Sequence, residues 1–194
     1  MNQDSSHSVD AAAHRSGPLN IVTLCTGNVA RSVMLGYMLT TIAHASDHTW
    51  HIRTAGTHVT EGSAMSARTR DALVKIEDLG DHRYGAHRSH QLSDADAEWA
   101  DVILCAEANN VNYVRANLAL HSRKAVQLAQ FVRFAPLDGE VRAQCLAVSK
   151  HDPSEEFNVP DPAGGDQATY DACARQLWEL AQAFALIVDD ERVD

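Results

Sequence analysis

A short apolar run, Ile21 to Leu24, ends at Cys25, passes through the polar, glycine-containing stretch Thr26-Gly27-Asn28-Val29-Ala30 and enters an apolar-periodic segment at Arg31-Ser32-Val33. The run predicts a buried strand and the periodic segment predicts a helix, so the junction is strand, loop and helix N-terminus. Such a junction is an anion site before any side chain is considered. Loop and first-turn N–H groups lack intrahelical partners, and the helix dipole places positive potential there. Cys25 opens this nest, where the amides, the dipole and the permanent charge of Arg31 favour an anionic sulfur and make a nucleophile. The planar fork of Arg31 can hold two equatorial oxygens of a phosphoryl group while sulfur attacks phosphorus in line. Asn28 and Ser32 are placed to hold the loop and hydrogen-bond the sulfur.

The rest of the chain alternates strands with helices. Met34, Tyr37, Met38 and Ile42 recur at helical spacing, Trp50 to Thr54 predicts a second strand, and Ser66 can cap a helix that carries Leu73 and Ile76 and ends at Gly80. Ser93 with Asp96 starts a short acidic helix before the strand Val102 to Cys105. Val111, Val114 and Leu118 mark another helix, and a fourth strand is expected around Ala125 to Leu128. Arg142 to Val148 forms an extra helix, and the last helix shows Cys173, Leu177, Leu180, Ala181, Phe184 and Val188 on one face. This alternation predicts a single α/β domain in three layers, α/β/α, around a four-stranded, parallel, doubly wound sheet. Ligands of such sheets sit outside the carboxyl ends of the strands, where Cys25 lies.

Composition bounds the function. The 194 residues are 45% hydrophobic, enough for one domain with a sizeable core, expected over residues 19–194, with residues 1–18 as a polar, flexible N-terminal extension. No apolar run reaches membrane-spanning length. The formal charge of −10 argues against nucleic acid and anionic membranes as partners. Cys25, Cys105, Cys145 and Cys173 contain no Cys-x-x-Cys pair, and the 11 histidines fall in no metal-ligand pattern. No metal or nucleotide cofactor is therefore expected, and a reducing, cytoplasmic setting fits.

Cys25-Thr26-Gly27-Asn28-Val29-Ala30-Arg31-Ser32 after an apolar strand resembles the low-molecular-weight protein tyrosine phosphatase family. So do Thr54-Ala55-Gly56-Thr57, His87-Arg88-Ser89-His90-Gln91-Leu92, Asp101-Val102-Ile103-Leu104-Cys105-Ala106-Glu107 and Val159-Pro160-Asp161-Pro162, in the family's order. The resemblance implies a phosphomonoester hydrolase working through a cysteinyl-phosphate, with Thr26 to Ala30 and Ser32 as the phosphate loop and His87 in support. It also implies a phosphotyrosine protein or small aryl phosphate as substrate, with phosphate, vanadate and arsenate as competitors.

A phenol or alcohol leaving group needs a proton, and a carboxyl group supplies it before activating water in the second step. Both Asp152-Pro153 and Asp161-Pro162 could present one. The family's order selects Asp161, whose flanking prolines fix the local backbone. The chain departs from the family in having Thr60 in place of a loop aromatic, Ala163 and Gly164 in place of tyrosines, Ala30 in place of a second cysteine and Val33 in place of proline. Weak selectivity for phosphotyrosine follows. Two alternatives are an arsenate reductase using an external thiol and a non-catalytic phosphoprotein-binding module.

Overall fold

Four parallel strands in the order β2-β1-β3-β4 make the central layer of the computed structural model, which describes residues 18–188. The strands are β1 (Leu19–Cys25), β2 (Trp50–Gly56), β3 (Val102–Cys105) and β4 (Ala125–Gln127). The helices are α1 (Arg31–Ala45), α2 (Ala67–Val74), α3 (Asp94–Trp99), α4 (Ala108–Asn117), α5 (Leu128–Phe134), α6 (Val141–Val148) and α7 (Gln167–Val188). The extension expected over residues 1–18 lies, apart from Pro18, outside the described residues.

Both faces of the sheet are covered, which is why β1 and β3 read as nearly continuous apolar runs rather than alternating ones. Ile21, Val102, Leu104 and Val126 join a core with α1, α2, α5, α6 and α7, while Val22, Leu24, Ile103, Cys105 and Ala125 face Ala97 of α3 and Val111 and Val114 of α4. Because β1 has β2 on one side and β3 on the other, successive crossovers leave β1 in opposite directions. In sheets of this kind ligands bind at that switch point, outside the carboxyl ends of the strands, and Cys25 ends β1 there.

Two local expectations are corrected. The helix starting at Ser66 does not reach Gly80: it ends at Val74, Ile76 turns extended, and Glu77–Leu79 forms a separate 3-10 turn before Gly80 at φ 74°. This break lets Leu79 bury fully while Ile76 still packs on the same core. The fourth strand stops at Gln127, and Leu128 opens α5, a helix not read from the sequence. Leu128 and Phe131, three residues apart, reach the core only if that stretch is helical.

Candidate active site

Cys25 ends β1 with 3% of its surface exposed. The loop wraps its sulfur. The Asn28 amide donates to Cys25 Sγ at 3.3 Å, and Ser32 Oγ lies 3.0 Å from it. Asn28 Nδ2 donates to Ser32 Oγ and to Thr54 Oγ1, each at 2.9 Å, while Asn28 Oδ1 accepts from the His90 amide at 2.9 Å. Ser32 Oγ thus accepts from Asn28, and its own hydrogen is free to point at sulfur. Asn28 adopts φ 51°, left-handed geometry that asparagine tolerates better than branched residues.

His87 Nε2 donates to the Asn28 carbonyl at 2.8 Å; since the carbonyl can only accept, this nitrogen carries the hydrogen. Burial lowers the His87 pKa, opposed by that bond and aided by Arg88, so the ring favours its neutral form. Gly56 is required where β2 passes the loop, because a Cβ there would stand 2.7 Å from the Thr26 carbonyl. Neither a side-chain cap nor an acidic first-turn residue occupies the start of α1.

Arg31 is only 2% exposed. Its Nη1 donates to Glu107 Oε2 at 2.8 Å and to the Val159 carbonyl at 3.2 Å, and its Nη2 donates to Asp161 Oδ2 at 2.9 Å. Burial pulls the Arg31 pKa down, but the Glu107 hydrogen bond and the charges of Asp161, Glu107 and Cys25 more than offset it, and the net shift is upward. Glu107 also accepts from Thr26 Oγ1 at 2.8 Å. Burial raises its pKa, yet bonds from Arg31, Thr26 and Asn110 and the Arg31 charge outweigh that, and the net shift is downward. Glu107 therefore ties the first loop residue to the arginine. Asp161 is 45% exposed on its side chain and accepts from the Ala163 amide at 3.1 Å, a turn that aims one oxygen at Arg31.

The description "low molecular weight phosphotyrosine protein phosphatase" matches residues 20–193. The chain belongs to that family. A protein-arginine-phosphatase of Geobacillus stearothermophilus is 26% identical over 170 residues, 87% of this chain and 95% of that protein. Two solved structures share the fold. The YwlE arginine phosphatase of the same organism has a TM-score of 0.69 at 24% identity, covering 90% of this chain and 96% of its own. A low molecular weight protein tyrosine phosphatase from T. tengcongensis has 0.69 at 22%, covering 86% and 97%.

This phosphatase brings Cys25, the loop, Arg31, His87 and Asp161 together and leaves Asp152 elsewhere, 3.8 Å from Arg115 with its side chain fully exposed. Glu107 was missed as a site residue. Its signal was positional: it follows β3, the strand beside β1 at the switch point. Cys173 was missed too. Burial raises its thiol pKa to about 12, and Arg31, Asp161 and Cys25 all act on it, whereas Cys105 pairs in register with Leu24 and packs in that residue's cluster on the opposite face. At the mouth Thr60, Ala163 and Gly164 are exposed, and the His58 ring packs edge-on against Tyr113 with centroids 5.6 Å apart. Among the described residues, no three His, Cys, Asp or Glu come together as a metal-holding group, and no helix is long and apolar enough to cross a membrane.

Proposed function

We propose that this phosphatase hydrolyses phosphomonoesters through a cysteinyl-phosphate on Cys25. The observation that carries the reading is one buried guanidinium, Arg31, which donates to the Asp161 carboxylate and to Glu107, the residue that in turn accepts from Thr26 of the Cys25 loop. Loop amides from Thr26 to Ser32 and the Arg31 fork take the phosphoryl oxygens, so transition-state charge meets donors already in place. Cys25 Sγ forms a bond to phosphorus as the bond to the leaving oxygen breaks, and Asp161 gives that oxygen its proton. The same carboxylate then takes a proton from water as water attacks phosphorus and the thiolate leaves. Ser32 and Asn28 stabilise the departing sulfur, and His87 holds the Asn28 carbonyl.

The substrate is a phosphoprotein or a small aryl phosphate. Thr60, Ala163 and Gly164 provide no ring to sandwich a phosphotyrosine, so selectivity for it over simple aryl phosphates is weak. The relative named for protein-arginine phosphatase activity puts phosphoarginine among the substrates to test. Arsenate reduction by an internal relay is disfavoured because burial raises the Cys105 and Cys145 thiols well above their usual range. Pure binding would need neither Cys25 nor Asp161. Four free cysteines fit a reducing cytoplasm, and the domain is taken as residues 19–194 with residues 1–18 as an extension.

The test is turnover in a metal chelator of an aryl phosphate, a phosphotyrosine peptide, a phosphoarginine peptide, and arsenate with an external thiol, by wild type and Cys25→Ser. Chelator-resistant phosphate release by wild type, lost in the variant and inhibited by vanadate, is expected. Release that survives Cys25→Ser would overturn the mechanism.

A further inference from the structure

Segment 131–158 plays no part in the chemistry proposed for Cys25, apart from standing next to the acid loop. Its helix α6 and the turn after it build a separate feature. Leu146, Ser149, Lys150 and Asp152 from this segment face Arg115 of α4 and Ser122 and Arg123 of the 3-10 turn 119–124, lining an open groove of about 420 Å³. Ser122 and Arg123 precede β4, the edge strand, so the groove lies toward the N-terminal ends of the strands and away from Cys25.

The cations here are differently committed. Arg115 is pinned, its Nη2 donating to the carbonyls of Ser149 at 3.2 Å and His151 at 3.4 Å. The side chains of Arg123 and Lys150 are exposed and have no hydrogen-bond or ion-pair partner among the described residues. The only acid in the lining, Asp152, projects fully into solvent 3.8 Å from Arg115. Positive charge concentrated in a concavity of a chain with net charge −10 attracts anions locally.

We infer that this groove binds a small anion carrying at least two phosphate or carboxylate groups. Two unpaired cations arriving from different elements call for two anionic groups on one ligand, with the hydroxyls of Ser122 and Ser149 as further donors and Leu146 as the apolar contact. The volume is within the range of small-molecule sites and suits a compact ligand. A long polyacid is disfavoured because only two unpaired cations line the groove and the chain as a whole carries a net charge of −10.

The test is a titration of inorganic pyrophosphate into the full chain, in phosphate buffer that saturates the Cys25 loop, read by amide NMR. Saturable shifts at Ser122, Arg123, Ser149 and Lys150 are expected. The double variant Arg123→Ala/Lys150→Ala should bind at least about tenfold more weakly. Its turnover of an aryl phosphate should stay unchanged. Absence of shifts at those amides, equal affinity in the double variant, or a hexaglutamate peptide binding there as tightly as pyrophosphate would each overturn the inference.

Discussion

Asp152-Pro153 and Asp161-Pro162 are the same dipeptide, close together in one connection, and each carboxylate faces an arginine. Asp161 contacts Arg31 at 2.9 Å, and that guanidinium is fully buried at the end of a strand-loop-helix nest. Asp152 stands 3.8 Å from Arg115, with its own side chain bathed in water. The difference lies in what holds the arginine. Arg31 is fixed by Glu107 and the Val159 carbonyl, so its charge is available in one orientation at low dielectric. Arg115 binds carbonyls at the end of a helix and its acid is screened. On the proposed mechanism a carboxylate acquires its chemical role by adjoining a preorganised anion cradle, not by its neighbours in sequence.

Replacing the two arginines should separate these regions most widely. Arg31→Ala is expected to lower kcat/KM for an aryl phosphate by about 10³- to 10⁵-fold, whereas Arg115→Ala lowers thermal stability and leaves kcat/KM near wild type. Steady-state kinetics with melting curves decide it. The acids come next. Asp161→Asn should slow a phenyl phosphate by about 10²- to 10⁴-fold and an activated nitrophenyl ester far less, while Asp152→Asn shows no dependence on leaving group. The reverse pattern would assign the acid to Asp152.

Glu107→Gln sharpens the comparison further, because it loosens Arg31 without removing it. A fall of about tenfold in kcat with KM moving less is expected, together with a weaker dependence of the rate on vanadate-competitive oxyanions. Unchanged kinetics would mean that Val159 and Asp161 suffice to orient the arginine. The smallest effect belongs to His87. Its folded pKa is lowered, so the stability that its neutral form contributes is present above the unfolded value near 6.5 and is lost as pH falls from there through the folded value. Denaturant unfolding between pH 7 and 5 should show that loss in wild type, and His87→Gln should flatten it.

Much of this was legible because it is local. The β1-loop-α1 junction announces itself through an apolar run, a glycine-containing loop and an arginine at fixed spacing, and the structure sets those residues around one sulfur. What escaped depends on tertiary placement. Glu107 acts across the boundary between β1 and β3, where strand order rather than sequence distance makes neighbours. Cys173 comes near the site on the last helix, and Leu128, the first residue of α5, looked like the end of a strand because the apolar run of that helix is too short to show its period. The groove formed by α4, α6 and the 119–124 turn joins charges from separate elements that no spacing rule connects.

The proposed reaction passes through a covalent phosphoryl group at Cys25 whose hydrolysis needs Asp161. Asp161→Ala protein mixed with a ³²P-labelled nitrophenyl phosphate, acid-quenched within the first turnover and mapped by peptide mass spectrometry tests it most directly. Phosphate on the peptide containing Cys25, at a level approaching one per chain and absent from Cys25→Ser, is the predicted result. Turnover with no labelled peptide, or label on any other residue, would contradict it.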